Sequence, residues 1–251
     1  MQKKWLRFLA VGMMAVSLVV SGCGGEKEKV LRVGSETTYP PFEFSEGEKY
    51  VGFDVELTEA LAKQMGYKWE FRSMGFDALI PALQSNQIDV AAAAMDATPE
   101  RAKQVDFTKV YFDDTGYVVL VRKEETAIKG LDDLTGKTIG VQVGTKPVEI
   151  ASAVSDAEVR QFDANTQSFL ELTHGNIDAV IIDKAVGMYY LNQGAGKDLK
   201  MVGDAVDKAE MVMAVKKGNT QLQSDLNKAL DELKANGEYQ KIYEKWFGKK
   251  E

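Results

Sequence analysis

The chain of 251 residues contains a single cysteine, Cys23, and a single histidine, His174. One cysteine excludes an internal disulfide, so an ordinary apolar core must hold the fold, and a chain of this length can bury one. One histidine and one cysteine cannot make a zinc site of the usual composition, and neither a metal nor an organic cofactor is expected. His174 has no G-x-S-x-G partner, so no Ser-His-Asp arrangement is indicated. Its place before Gly175, at a predicted helix end, suits a cation favoured by the helix dipole. Long apolar runs are also scarce: the one uncharged, largely apolar stretch, Phe8 to Val20, is short for a bilayer-spanning helix, which needs about 20 apolar residues. Nor is there an excess of positive charge. The formal charge is −7, and removing the cations Lys3, Lys4 and Arg7 takes it to −10, which argues against nucleic acid as a partner.

Those three cations precede the apolar run, and small residues and then Cys23 follow it, which is the pattern of a secretory signal. Val20-Ser21-Gly22-Cys23 resembles a lipobox, where bacteria attach diacylglycerol to a cysteine sulfur and cleave before it. Residues 1–22 are therefore read as a signal peptide and residues 23–29 as a lipidated tether, short, charged and with little to bury. The mature protein is expected as a monomer on the outer face of the cytoplasmic membrane, anchored through Cys23.

From Val30 onward, short β-rich runs alternate with amphipathic helical patterns, which predicts an α/β protein with mostly parallel sheets. Strands are expected at Val30 to Val33, Tyr50 to Phe53, Trp69 to Phe71 and Val90 to Ala93, with Asp54 capping a helix that runs through Val55, Leu57, Leu61 and Met65. A second unit begins after Gly116, with strands at Tyr117 to Val121, Thr138 to Val141, Val159 to Phe162 and Ala179 to Ile182. After a last strand, Met211 to Val215, two helices close the chain, the first capped by Thr220 and stopped by Gly237.

The sharpest local signal is Thr98-Pro99-Glu100-Arg101, with an N-cap residue, proline at the first helical position and an acid in the first turn. This helix start follows the strand Val90 to Ala93, so the loop between them sits at the carboxyl end of a strand, where ligands of open sheets bind. There the Arg101 guanidinium could clamp an anion, or it could be a solvated surface group. Val143-Gly144-Thr145-Lys146 before Pro147 repeats the arrangement in the second unit, and is equally an ordinary turn. Asp183 ends the strand Ala179 to Ile182, where it could accept from an ammonium or cap the next helix.

Taken in order, Gly34-Ser35-Glu36-Thr37-Thr38-Tyr39-Pro40-Pro41-Phe42-Glu43-Phe44, Tyr50-Val51-Gly52-Phe53-Asp54, Phe76 with Leu79-Ile80-Pro81-Ala82-Leu83, Thr98-Pro99-Glu100-Arg101, Val105-Asp106-Phe107, Gly144-Thr145 and Asp178-Ala179-Val180 with Asp183 resemble the polar amino-acid group of bacterial extracellular solute-binding proteins, family 3. The resemblance extends to the ending, Tyr243 to Gly248, and spans nearly the whole mature chain. It implies a two-lobed periplasmic-binding-protein-like fold of type II, with a ligand cleft between lobes joined by two hinge crossings. Residues 30–112 and 213–251 would form lobe 1, and residues 113–212 lobe 2.

By the same resemblance, Arg101 clamps the ligand α-carboxylate with the backbone amides of Asp96 and Lys146. Asp183 and a carbonyl near Ala94 receive the α-ammonium, Tyr39 and Phe76 sandwich the side chain, Glu36 reads its far end, and Gln142 and Thr145 line the opposite lobe. Asp96 stands where the family commonly has Ser or Thr, and Lys146 where a small residue is frequent. The implied function is capture of a polar L-amino acid for the permease subunits of an ABC importer, without chemistry on the ligand. Arginine or another basic amino acid comes first, because Arg101 and Asp183 balance the ligand's own charges and leave Glu36 without a cation. The alternatives are a glutamine or cystine binder, or a cyclohexadienyl-dehydratase-like enzyme on the same fold. A receptor sensor domain would need a transmembrane helix, and no apolar run follows.

If Cys23 carries the anchor, Cys23→Ser will move the protein from membranes to the soluble fraction. One acyl chain alone holds weakly, with an association constant of about 10⁴ per molar, whereas several anchor stably. Retention on membranes after a high-salt wash would exclude the lipoprotein assignment.

Overall fold

The computed structural model describes residues 28–249, so the signal pattern and Cys23 lie outside the described residues. The chain opens with β1 (Val30–Ser35), β2 (Thr38–Tyr39), β3 (Glu43–Glu46), β4 (Lys49–Val51), α1 (Phe53–Gln64), β5 (Lys68–Ser73), α2 (Leu79–Gln84), β6 (Val90–Ala91), α3 (Pro99–Ala102) and β7 (Val105–Phe107). It continues with β8 (Phe112–Arg122), β9 (Thr138–Gln142), α4 (Lys146–Ser152), β10 (Glu158–Phe162), α5 (Asn165–Thr173), β11 (Ala179–Asp183), α6 (Lys184–Asn192) and β12 (Leu199–Met211). It ends with β13 (Ala214–Lys216), α7 (Thr220–Ala235) and α8 (Glu238–Phe247).

Two five-stranded sheets result, in the orders β5-β1-β6-β13-β7 and β10-β9-β11-β8-β12. Neither is purely parallel: β13 runs antiparallel to β6 and β7, and β8 runs antiparallel to β11 and β12. Each of these antiparallel strands lies next to a passage between sheets. The chain leaves the first sheet through residues 108–111, returns through residues 212–213, and so crosses twice. The fold is the two-lobed α/β arrangement of type II binding proteins, with helices packed against each sheet.

Several local expectations need correction. The Tyr50 to Phe53 strand stops at Val51, because Gly52 turns at φ 132° and Phe53 already belongs to α1. Only glycine fits that turn, since a Cβ on Gly52 would lie 2.2 Å from the Phe42 carbonyl oxygen. Asp54 therefore sits inside the helix and does not cap it. Asn219 accepts from the Leu222 amide and caps α7, displacing Thr220 by one position. The long strand β12 was not anticipated, because its middle is exposed and its pairing with β8 shifts register three times, so no regular alternation marks it.

Aromatic side chains pack where the crossings meet the core. Phe42 and Phe112 lie 5.0 Å apart edge to face, Phe247 of α8 is 4.7 Å from Phe112, and Phe53 is 5.7 Å from Phe112. Phe112 begins β8, so the first strand of the second sheet is fixed against residues that surround the first. Such ring pairs add about 0.5–1.5 kcal/mol each beyond the area they bury. Behind this cluster, Asp54 is fully buried, and its Oδ2 accepts from the Tyr111 hydroxyl at 2.5 Å and the Ala94 amide at 2.9 Å. Ala94 holds a left-handed φ of 46°, a backbone strain that the Asp54 bond helps to maintain.

Among the described residues, neither Asp54 Oδ1 nor either oxygen of Glu43 has a hydrogen-bond partner, and the two buried carboxyls are neighbours. A single proton held between the pair would satisfy both. Burial pushes Glu43 well above the usual carboxylate range, with the Asp54 charge adding to it. Burial also raises Asp54 to about 6, against the lowering effect of Tyr111 and Ala94. Folded carboxyls that keep a proton the unfolded chain has released stabilise the protein below pH 4.5, and that contribution is lost as pH rises through the folded values. Glu43→Gln supplies a permanent donor, so its stability relative to the wild type, read by urea unfolding, should grow as pH rises from 4.5 to 8. A difference independent of pH would exclude the shared proton.

Candidate functional site

Between the sheets lies a narrow cleft. Nine of the ten ligand-binding candidates line it: Glu36, Tyr39, Phe76, Ala94, Asp96, Arg101, Gln142, Thr145 and Asp183. The strand ends that carry them explain this. Glu36 follows β1 and Ala94 follows β6 in the first sheet, while Gln142 ends β9 and Asp183 ends β11 in the second. These are carboxyl ends of parallel strands, the position expected for ligands of open sheets.

Arg101 is placed by its helix start. The Thr98 side chain accepts from the Arg101 amide at 3.3 Å, Pro99 occupies the first turn, and the arginine side chain is 8% exposed. Its guanidinium donates to the Asp96 carbonyl and, across the cleft, to the Gly144 carbonyl, each at 2.7 Å. The same group lies 5.1 Å from the Phe76 ring centroid, a cation–π geometry. Burial lowers the Arg101 pKa and the nearby Asp96 charge opposes it. Asp96 in turn receives the Tyr117 hydroxyl at 2.6 Å; burial raises its pKa, and Tyr117 and Arg101 act against that rise.

Glu36 is 5% exposed and also lines the cleft. Thr38 Oγ1 donates to one carboxylate oxygen, and Gln142 Nε2 donates to the other at 2.6 Å. Burial pushes Glu36 above the usual range, and these two donors pull it back. Asp183 is 1% exposed; it accepts from the Ala185 amide at 2.8 Å as the cap of α6, and it also lines the cleft. Tyr39, half-buried, stacks on Phe42 with centroids 6.1 Å apart, which fixes its ring. Thr145 precedes α4 and donates to the Gln142 carbonyl at 2.7 Å.

Lys146 is the exception. Its Nζ lies 3.0 Å from Glu149 and 3.6 Å from Asp207, so these carboxylates draw the side chain away from the cleft, and Pro147 forms the wall instead. Tyr117 and Asn165 were not anticipated. Tyr117 reads as one more core residue of a strand, and nothing in its spacing marks the hydroxyl. Asn165 opens α5, and its Nδ2 donates to Gln142 Oε1 at 2.7 Å. Among the described residues that line the cleft, three are acidic, Glu36, Asp96 and Asp183, and one is a cation, Arg101. The arrangement suits a zwitterion with an additional positive charge. Among the described residues, no group of three or more His, Cys, Asp or Glu side chains is placed to hold a metal ion.

Comparison with known proteins bears on what such a cleft serves. The arginine-binding extracellular protein ArtP of Bacillus subtilis is 39% identical over 253 residues, covering 98% of this chain and 98% of that one. A solved ancestral arginine-binding protein bound to arginine superposes with a TM-score of 0.84 at 45% identity, covering 88% of this chain and 99% of the other. A structure of an ancestral arginine-binding protein bound to glutamine gives a TM-score of 0.82, also at 45% identity, over 88% and 99% of the two chains. Residues 31–249 match the family as a whole, and the chain belongs to the bacterial extracellular solute-binding proteins, family 3.

Proposed function

We propose that the chain captures a basic L-amino acid, arginine first, in the cleft and presents it to the permease subunits of an ATP-driven importer. The observation that carries this reading is the buried carboxylate of Glu36 in the lining of the cleft that also holds Arg101. An amino-acid zwitterion brings one carboxylate for Arg101 and one ammonium for Asp183. Glu36 and Asp96 are then the remaining acidic groups, and a desolvated carboxylate favours a cationic side chain over a neutral or acidic one by several kcal/mol on the usual scale. Phe76 and Tyr39 offer ring faces on which a planar guanidinium stacks, and a guanidinium can also give a carboxylate two parallel donors. Several relatives are named for arginine, which supports this choice, while one is named for L-cystine and one structure holds glutamine, so those two are the competing ligands.

The two crossings at residues 108–111 and 212–213 act as the hinge in this reading, and the lobes divide as the resemblance implies. The ligand leaves unchanged. Each cleft carboxylate has a binding task, and neither Glu36 nor Asp96 needs an acid–base role. The protein works outside the cytoplasmic membrane as a monomer, tethered through lipid on Cys23.

Calorimetric titration with arginine, lysine, glutamine and cystine tests the assignment. Wild-type protein should bind arginine at least tenfold tighter than glutamine or cystine, a difference of about 1.4 kcal/mol. Arg101→Ala should lose measurable binding of every ligand, because truncating one partner of a buried charge pair costs about 2 to 5 kcal/mol. Glu36→Gln should weaken arginine far more than glutamine, and the loss should persist at high salt because a buried pair is poorly screened. Tighter binding of glutamine by the wild type would overturn the basic-ligand assignment, and near-native affinity in Arg101→Ala would remove that residue from the site.

A further inference from the structure

The amide of Gln142 has no freedom of orientation. Its Nε2 faces two groups that only accept when Glu36 is ionised: the Glu36 carboxylate at 2.6 Å and the Asp163 carbonyl at 3.0 Å. A flipped amide would set oxygen against both, so the NH₂ must stay where it is. Its Oε1 then needs a donor, and Asn165 Nδ2 supplies it at 2.7 Å. Gln142 is 1% exposed and Asn165 3%, so water does not substitute readily for either partner.

From this chain of bonds we infer that Asn165, which lies outside the cleft lining, sets ligand specificity as a positioning residue acting through Gln142 on Glu36. By accepting from Asn165, Gln142 keeps its two N–H groups turned to Glu36 and Asp163, and keeps them out of the path of a cationic side chain. The donor that reaches Glu36 also favours the ionised carboxylate, which burial opposes. A guanidinium depends on that ionised form. A neutral side chain of the same shape depends on it less, because it can also donate to the carbonyl oxygen of a protonated carboxyl. Without Asn165, a buried carbonyl oxygen loses its donor, and the Gln142 side chain is expected to turn in search of another.

The inference rests on the basic-ligand reading, and citrulline, the neutral counterpart of arginine, separates the two. Wild-type protein, Asn165→Leu, Gln142→Leu and the double variant are titrated with arginine and with citrulline, with thermal unfolding as the check on folding. The wild type should prefer arginine, and Asn165→Leu should lower the ratio of arginine to citrulline affinity by about tenfold or more, the scale of a buried polar group left unpaired. The double variant should lose no more of that ratio than Gln142→Leu alone, since both changes break one relay. Equal loss for the two ligands, or no loss, would show that Asn165 only supports the fold and would overturn the inference. Additive losses in the double variant would also overturn it. A wild type without preference for arginine would overturn the basic-ligand reading itself, and the specificity role with it. Should Asn165→Leu fail to fold, Asn165→Asp provides the same test, because an ionised carboxylate cannot donate to Gln142 Oε1.

Discussion

A guanidinium held out of water between two sheets is the constraint around which the molecule is arranged. Moving such a cation from water into a protein interior costs several kcal/mol unless its donors find acceptors and its charge finds an opposite. Here the Asp96 and Gly144 carbonyls take donors from Arg101, the Phe76 ring covers one face, and the Asp96 carboxylate supplies the charge. Asp96 then needs help of its own, and Tyr117 gives it a hydroxyl from the opposite sheet. Burying one charge has thus recruited groups from both sheets, and the cleft walls are specified jointly.

The same constraint shapes the first sheet behind the cleft. Ala94 must turn its backbone left-handed to bring the strand β6 into the loop that carries Asp96. The Asp54 carboxylate secures that turn from below, and the Tyr111 hydroxyl ties the same carboxylate to the first crossing between sheets. Tyr111 is tied again at its carbonyl by the Tyr239 hydroxyl of α8. One buried acid therefore connects the binding loop with the chain segment about which the lobes would have to rotate.

What the sequence disclosed depended on whether the chemistry was local. Thr98-Pro99-Glu100-Arg101 was legible because an N-cap, a proline and a first-turn acid act within four positions, and their joint meaning survives without the rest of the chain. Glu36, Tyr39, Phe76 and Gln142 were legible only through resemblance, since each is ordinary in its own segment, and Gln142 finds its partner Glu36 across 106 positions. Asp54 misled for the complementary reason. An acid before an amphipathic run usually caps it, but the turn at Gly52 starts the helix earlier and sends the carboxylate inward. Nothing in its own segment marked Asn165, and only the buried orientation of Gln142 reveals whom it serves.

Closure and binding draw on the same atoms, and this limits how tight capture can be. Hydrogen bonds among the described residues that join the two sides include Arg101 to Gly144, Gln142 to Glu36, Tyr117 to Asp96, and Tyr190 to the Thr38 carbonyl at 3.2 Å. A ligand carboxylate that engages Arg101 must compete with the Gly144 and Asp96 carbonyls, and a ligand cation at Glu36 must share the carboxylate with Gln142 and Thr38. Affinity is then a difference between bonds gained and bonds exchanged, and each net bond is worth only about 0.5–1.5 kcal/mol unless a full charge is involved. Charge is what tips that balance. A neutral guest exchanges one set of neutral bonds for another, whereas a cation meets a carboxylate that the Gln142 and Thr38 donors satisfy in geometry but do not neutralise. Selectivity in this cleft follows from the charge left over after the polar groups have been paired, more than from the number of hydrogen bonds that a ligand makes.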